Sequence, residues 1–208
     1  MATYMQVGMF ALSNRDDIIM STALNTKERI VELGRGHMQR IGYHSFNYKQ
    51  IALELKIKNA SIHHYYPSKE DLGMAVIEKD RQDFLDFIQR TKKAAPMDKL
   101  DALICAYEEY FKGGQKLCVI STFSASFNEI TERMQLAIRQ YSEIVSSWLA
   151  AVLKEGLESG DFHFTSPIEE MTNHWMATLP GALLVGRSRG KEYFDMALHS
   201  LKKAIQSS

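Results

Sequence analysis

The chain has 208 residues, 25 Lys and Arg against 25 Asp and Glu, a formal net charge of zero, 45% hydrophobic and 24% charged side chains. That is ordinary globular composition, with length enough to bury a core in one or two domains, and it excludes a largely disordered chain. No run approaches a membrane span, Cys105 and Cys118 are too few for a disulfide framework, and no Cys/His spacing suggests zinc.

Residues 1–25 show no clear period and read as a loose leader. Met20, followed by Ser21-Thr22-Ala23, is an alternative natural start, which leaves the first 19 residues either native or an upstream extension. The opening MATYMQVGMFAL lacks a positive n-region and a small-residue cleavage site, so no signal peptide is expected and a reducing, cytoplasmic setting is the default. Thr26 is a candidate N-cap for a helix over 27–41, with Ile30, Leu33, Gly34, His37, Met38 and Ile41 on one face and Gly42 as its stop. Asn47 with Gln50 three residues later reads as a capping box for a second helix to about Leu55. Lys56-Ile57-Lys58 is a turn, Asn59 to Tyr65 a short third helix, and Pro67 ends it.

Ser68 with Asp71 caps a long helix to about Lys93. Pro96 separates it from a helix over 97–112, striped by Leu100, Leu103, Ile104, Tyr107 and Phe111. Gly113-Gly114 breaks the chain before a shorter helical piece over about 118–127. The longest helix runs from Thr131 to Ser159, with Met134, Ile138, Tyr141, Val145, Trp148 and Val152 at helical spacing. Gly160 and the following Phe-His-Phe make a loop. Ser166-Pro167-Ile168-Glu169 then places an N-cap, a proline at the first helical position and a glutamate three after the cap, starting a helix to about Arg189. A last helix covers 191–206, and with no strand or repeat in sight the expected fold class is all-α.

Residues 47–72 carry the functional signal. A compact apolar set (Ile51, Ala52, Leu55, Ile57, Ile62) holds two short helices together, while basic, aromatic and hydroxyl side chains face outward. That is how a helix-turn-helix presents one helix to the DNA major groove. The charge distribution agrees. Residues 26–72 hold eight basic against five acidic side chains with four histidines besides, whereas residues 97–208 hold eleven basic against fourteen acidic. A basic head on an acidic body suits a polyanion-binding module.

The ordered set Gly42, Phe46, Ile51-Ala52, Ile57, Ser61, Ile62, Tyr66 and Pro67-Ser68-Lys69-Glu70-Asp71-Leu72 resembles the N-terminal DNA-binding domain of the tetracycline-repressor (TetR) family of transcriptional regulators, over residues 26 to about 75. After the leader over 1–25, the resemblance implies a three-helix helix-turn-helix domain over 26–72 and a helical ligand-binding and dimerisation bundle over 73–208. Departures are Lys58, where the family often has a small hydroxyl residue, and His63 and Tyr65, where it often has tyrosine and histidine. The swap at His63 and Tyr65 keeps groups able to bond phosphate and so leaves binding intact, while the preferred DNA sequence no longer follows from family habit.

Asn47, Tyr48 and Lys49, at the second helix's first turn, are candidates for phosphate contact, where exposed N–H groups and the helix dipole favour anions. Lys58, Asn59 and Ser61, on the recognition helix's first turn, are candidates for base contact, Asn59 competing with a role as that helix's N-cap. His63, His64 and Tyr65 are candidate backbone clamps, and Lys69 matches the family's phosphate-contacting lysine. Adjacent histidines point about 100° apart with no ligand at i+4, so no metal is expected, nor any cofactor.

One such module selects a site too weakly alone, so a homodimer on a near-palindromic double-stranded operator is expected. By resemblance the last two long helices pair with their symmetry mates. Their stripes are Ile168, Met171, Trp175, Leu179 and Ala182, and Phe194, Leu198, Leu201 and Ile205; burial within the same subunit is the competing reading. The family also implies a small-molecule effector. Candidate contacts are Tyr107, Phe111, Cys118, Phe123, Phe127, Tyr141, Trp148, His174 and Trp175, each of which also suits ordinary core. Cys118, near Lys112 and Lys116, is either a reactive thiolate or a buried inert thiol. With no P-loop, nucleophile elbow or placed carboxylate pair, an enzyme is not expected. The expected function is a DNA-binding regulator, in this family most often a repressor, released by a ligand or by cysteine modification; the alternative is an adaptor that recruits proteins without sensing a ligand.

Overall fold

A computed structural model describes residues 25–206, so the expected leader, apart from Asn25, lies outside the described residues. Within them the chain forms α1 (Thr26–Ile41), α2 (Tyr48–Leu55), α3 (Asn59–Tyr65), α4 (Lys69–Thr91), α5 (Pro96–Lys112), α6 (Val119–Ser124), α7 (Glu132–Ser159), α8 (Ile168–Arg189) and α9 (Lys191–Ala204), with no strand among the described residues. The fold is all-α, as the periodicity predicts.

The described residues divide into two compact units, one of 25–83 with 116–142 and the other of 84–115 with 143–206. In the first, the caps determine where the helices begin. Asn25, not Thr26, caps α1: its Oδ1 accepts from Glu28 N at 3.1 Å, and Glu28 Oε2 accepts from Asn25 N at 3.0 Å. Thr26 is the first helical residue because this reciprocal box needs a three-residue spacing to a Glu, which Asn25 has. Gly42, at φ 88°, ends α1 and bonds Met38 O at 2.8 Å. Asn47 and Gln50 close the expected box over α2 at 3.2 and 3.3 Å. Ser68 and Asp71 do the same before α4, at 3.0 and 3.1 Å.

Ile30, Phe46, Ile51, Ile62, Leu72 and Val76 are fully excluded from solvent at the centre of this unit. Val119, Phe123 and Met134, from α6 and the start of α7, belong to the same apolar cluster and are equally buried. Ile41, expected on the inner face of α1, is exposed because the inward stripe ends at Met38, one turn before the glycine stop.

In the second unit, Trp175, Leu179, Ala182 and Leu183 of α8 and Phe194, Leu198 and Leu201 of α9 are buried. Phe111 of α5 stacks on Phe194 with ring centroids 4.5 Å apart. The stripes expected to pair with a symmetry mate are thus largely the chain's own core, and Leu184 and Met196 are the large apolar side chains these two helices leave exposed. The Ser166 signal is also displaced. The helix starts at Ile168 with Pro167, extended at ψ 146°, at the cap position and no side-chain cap bond.

Candidate nucleic-acid interface

The turn between α2 and α3 is built by Lys56, which ends α2 in the left-handed conformation (φ 54°, ψ 41°) with its N–H directed at Ala52 O and Leu53 O. Ile57 N bonds Ala52 O at 3.1 Å and Ser61 N bonds Lys58 O at 2.9 Å, so Lys58 is the N-cap residue of α3. Lys58 supplies no side-chain cap bond, and Asn59 is the first helical residue. The competition expected at Asn59 therefore resolves: its amide does not cap the helix. Ile62 is fully buried, and around it Lys58, Asn59, His63, His64 and Tyr65 are exposed, with Ser61 half-buried.

Lys49, on the first turn of α2, is exposed on the same unit. Among the described residues Lys49, Lys56 and Lys58 have no carboxylate partner, whereas Lys79, Lys112, Lys154, Lys191 and Lys202 are each ion-paired. Unpaired ammonium groups gathered beside a presented helix are what a polyanion-binding surface needs, since each remains available to displace a phosphate counterion. Between Lys49, Ala52, Leu53, Lys56, Ile57 and Asn59 runs an open groove of about 510 Å³. Leu53 and Lys56 are additions to the expected set. Leu53, 77% exposed, carried a usable signal: it is an apolar side chain turned off the stripe of Ile51, Ala52 and Leu55.

Two expected phosphate contacts look different in three dimensions. Tyr48 is turned inward and only 6% exposed, with its hydroxyl directed at the carbonyls of Tyr66 (3.1 Å) and Ser68 (2.5 Å). Burial, reinforced by the Asp71 carboxylate, pushes its phenol well above the ordinary range, so the proton stays on. The structure thus gives this side chain an internal role, tying α2 to the end of α3, where the sequence suggested phosphate contact. The other is Lys69, whose Nζ donates to His44 O at 2.9 Å and lies 4.8 Å from the centre of the Phe46 ring. An ammonium has three N–H donors, so Lys69 is steered by the protein and keeps donors for a phosphate. Asn47 spends its Oδ1 on the cap and keeps its amide N–H groups.

The nine candidate ligand contacts fall in both units. Cys118, Phe123, Phe127 and Tyr141 lie in the unit that carries the helix-turn-helix, and Tyr107, Phe111, Trp148, His174 and Trp175 in the other. Phe123 packs on Tyr43 (5.3 Å), and Arg139 covers Phe127 (5.0 Å). Cys118 is a buried N-cap of α6 whose Sγ accepts from Ser121 N at 3.4 Å. Lys112, invoked as a neighbour that could lower its pKa, is committed to Glu108 and Glu109. In the other unit Trp148 meets Phe84 and Phe87 edge-on at 5.5 and 5.3 Å, Tyr107 lies half-buried against Tyr110, and His174 is exposed. Trp175 is fully buried, and among the described residues its Nε1 has no hydrogen-bond partner.

A polar cluster escaped the sequence reading. Asp80 of α4 is 2% exposed, accepts from Tyr141 Oη of α7 at 2.9 Å, and lies 3.4 Å from Arg35 of α1. Arg35 also bonds Asp83 at 2.9 Å and Glu32 at 2.6 Å. Burial pushes the Asp80 carboxyl up to about 6, against the opposing pull of Arg35 and the Tyr141 hydroxyl. The available signal was an acid in the apolar series Val76, Ile77, Asp80, Phe84, Phe87.

These features define a helix-turn-helix protein with a basic, unpaired presenting face. Residues 30–76 match the model of the bacterial regulatory proteins of the tetR family. The chain is 29% identical to a TetR-family transcriptional regulator of Agrobacterium tumefaciens, whose crystal structure superposes with a TM-score of 0.80 over 87% of this chain and 97% of that one. It is 20% identical over 190 residues to the HTH-type transcriptional repressor NemR of Escherichia coli (strain K12), covering 88% of this chain and 96% of NemR. It is 23% identical over 124 residues to the fatty acid metabolism regulator protein of Bacillus subtilis (strain 168), a match to 58% of this chain and 62% of that protein's length. Residues 30–76 are thus a DNA-binding domain of the tetR family, and the chain as a whole is similar to TetR-family transcriptional regulators.

Proposed function

We propose that the protein is a homodimeric repressor that binds a near-palindromic duplex operator through Asn47, Lys49, Lys58, Asn59, Ser61, His64, Tyr65 and Lys69 of each protomer, and that a small molecule held in its helical body releases it. The observation that carries the DNA half is the exposed face of α3 flanked by the unpaired Lys49, Lys56 and Lys58. Repression is supported by NemR, which is a transcriptional repressor by name. The exposed Leu184 and Met196 on α8 and α9 support pairing of two copies through these helices. The buried, cap-forming Cys118 favours ligand binding over thiol modification as the releasing event. Such a regulator works where the DNA is, in the cytoplasm; among the described residues no helix is long and apolar enough to cross a membrane.

The test is a titration of full-length protein against duplexes selected from a randomised pool, repeated across salt concentrations. Each neutralised phosphate contributes about −0.9 to the slope of log K against log salt, so Lys49→Ala and Lys69→Ala should each flatten it by about 1 per protomer. A slope near zero refutes DNA binding. Release by a compound that also raises the thermal midpoint establishes the effector half, and a thermal shift without release would refute it.

A further inference from the structure

We infer that His63 is a specificity-determining residue, a hydrogen-bond acceptor that selects a base carrying an exocyclic amino group, adenine or cytosine, at one position of each half-site. The inference rests on the reading of α3 as the element that enters the major groove. His63 lies on the exposed side of α3, and its Nδ1 is 3.3 Å from the carbonyl oxygen of Pro67. A carbonyl oxygen only accepts, so Nδ1 carries the hydrogen, and in the neutral ring Nε2 is then a bare lone pair. Among the described residues Nε2 has no partner.

An aromatic neighbour also holds the ring. Tyr48 meets it edge-on, with centroids 4.8 Å apart and planes at 61°. Tyr48 is itself fixed by burial and by its hydroxyl's contacts with Tyr66 O and Ser68 O. Turning the imidazole over would place a carbon against Pro67 O and forfeit the bond. Tyr48 is thus a positioning residue for His63.

An acceptor cannot clamp a phosphate, whose exposed oxygens are acceptors too. In the major groove the donors are adenine N6–H and cytosine N4–H, whereas guanine presents O6 and N7 and thymine O4 and a methyl group. Facing guanine or thymine, Nε2 sets one lone pair against another and loses its hydrogen bond to water without replacement, an unsatisfied contact that costs about tenfold in affinity. The role of His63 is therefore base selection and not the backbone clamping expected from sequence.

The experiment selects duplexes from a randomised pool with the full-length protein, with His63→Ala and with His63→Gln, whose side-chain oxygen restores an acceptor. Thermal melts establish that the variants fold. For the unsubstituted protein, adenine or cytosine dominates at a half-site position that His63→Ala no longer discriminates and His63→Gln discriminates again. Replacing that adenine by purine, or that cytosine by 2-pyrimidinone, removes only the amino group. It weakens the unsubstituted protein about tenfold and leaves His63→Ala unchanged. Equal base preferences for all three proteins, with affinity lowered uniformly in His63→Ala, would mean a phosphate contact and overturn the assignment. So would guanine or thymine at the sensitive position. If the unsubstituted protein enriches no duplex at all, DNA reading itself fails and takes this assignment with it.

Discussion

Replacing Asp80 by asparagine tests the buried polar cluster quantitatively. The folded chain holds this carboxyl at about 6 against an ordinary 3.8. The folded state therefore binds the proton more tightly than the unfolded chain, and protonation stabilises the fold. The stabilisation is fully present below 3.8 and is lost as pH rises through 6. At neutral pH the ionised, desolvated carboxylate costs about 3 kcal/mol relative to its protonated form. Lowering the pH from about 7.5 to about 5 recovers on the order of 1 kcal/mol of this, which for a chain of this size is a rise of roughly 2–4 °C in Tm.

The asparagine side chain would be neutral throughout and still accept from the Tyr141 hydroxyl, while Arg35 would retain Asp83 and Glu32. Thermal unfolding of both proteins at the two pH values isolates the effect, because every other titrating group is common to them. The expected result is that the unsubstituted protein gains on the order of 1 kcal/mol on acidification relative to Asp80→Asn. Parallel pH dependences, or a relative loss for the unsubstituted protein, would refute the argument that a desolvated charge sits at this position.

Three further outcomes follow from the packing. Tyr48→Phe removes the donor facing the Tyr66 and Ser68 carbonyls and should cost about 1–2 kcal/mol in urea unfolding, with a measurable loss of base discrimination at the His63 position. Gly156→Ala places a Cβ 2.0 Å from the Phe162 ring, which is 1% exposed, so the ring must leave; the net loss of about 2–4 kcal/mol, after the gain in helix propensity, is read by chemical denaturation. Ser68→Ala opens the capping box of α4 and should cost about 1 kcal/mol. It also lets the Asp71 carboxyl, now held low by its Ser68 hydrogen bonds, titrate at higher pH by carbon-detected NMR.

What the sequence made legible is local. The boxes at Asn47–Gln50 and Ser68–Asp71, the glycine stop at Gly42 and the stripe through Ile51, Ala52 and Ile62 depend on residues within a few positions of one another, and so they can be read without coordinates. The exception at Ser166 is local too: the helix begins one residue later than the signal, with Pro167 extended at ψ 146° in the cap position. The candidate interface was legible in outline, since α3's polar residues had nowhere to face but outward. What could not be read was which polar atoms the protein itself consumes. The Tyr48 hydroxyl, one Lys69 N–H and the His63 Nδ1 hydrogen are taken by carbonyls that only the folded turn brings near. The aromatic candidates of the helical body are divided between the two units for a related reason: aromatic spacing marks a buried face but not the unit that buries it.

The same distinction bears on how the DNA-reading helices are held. Ile30, Leu72 and Val76 share one apolar cluster with Val119, Phe123, Met134 and Ile138, which lie far along the chain. A Cβ on Gly73 would stand 2.7 Å from Met134 Cε and 3.1 Å from Tyr43 Cε2, so α4 and α7 meet there without a side chain between them. Tyr141, one turn beyond Ile138, reaches Asp80, and Asp80 reaches Arg35 on α1. Close-packed interiors do not absorb displacement without repacking. A shift of α6 or of the first turns of α7 therefore acts on the packing beneath α1 and α4 directly, and the recognition helix rests on that packing through Ile62. The motif that marks this chain as a DNA reader is contiguous in sequence, while the core that keeps the reader in shape draws on α6 and α7, which follow it only after two further helices.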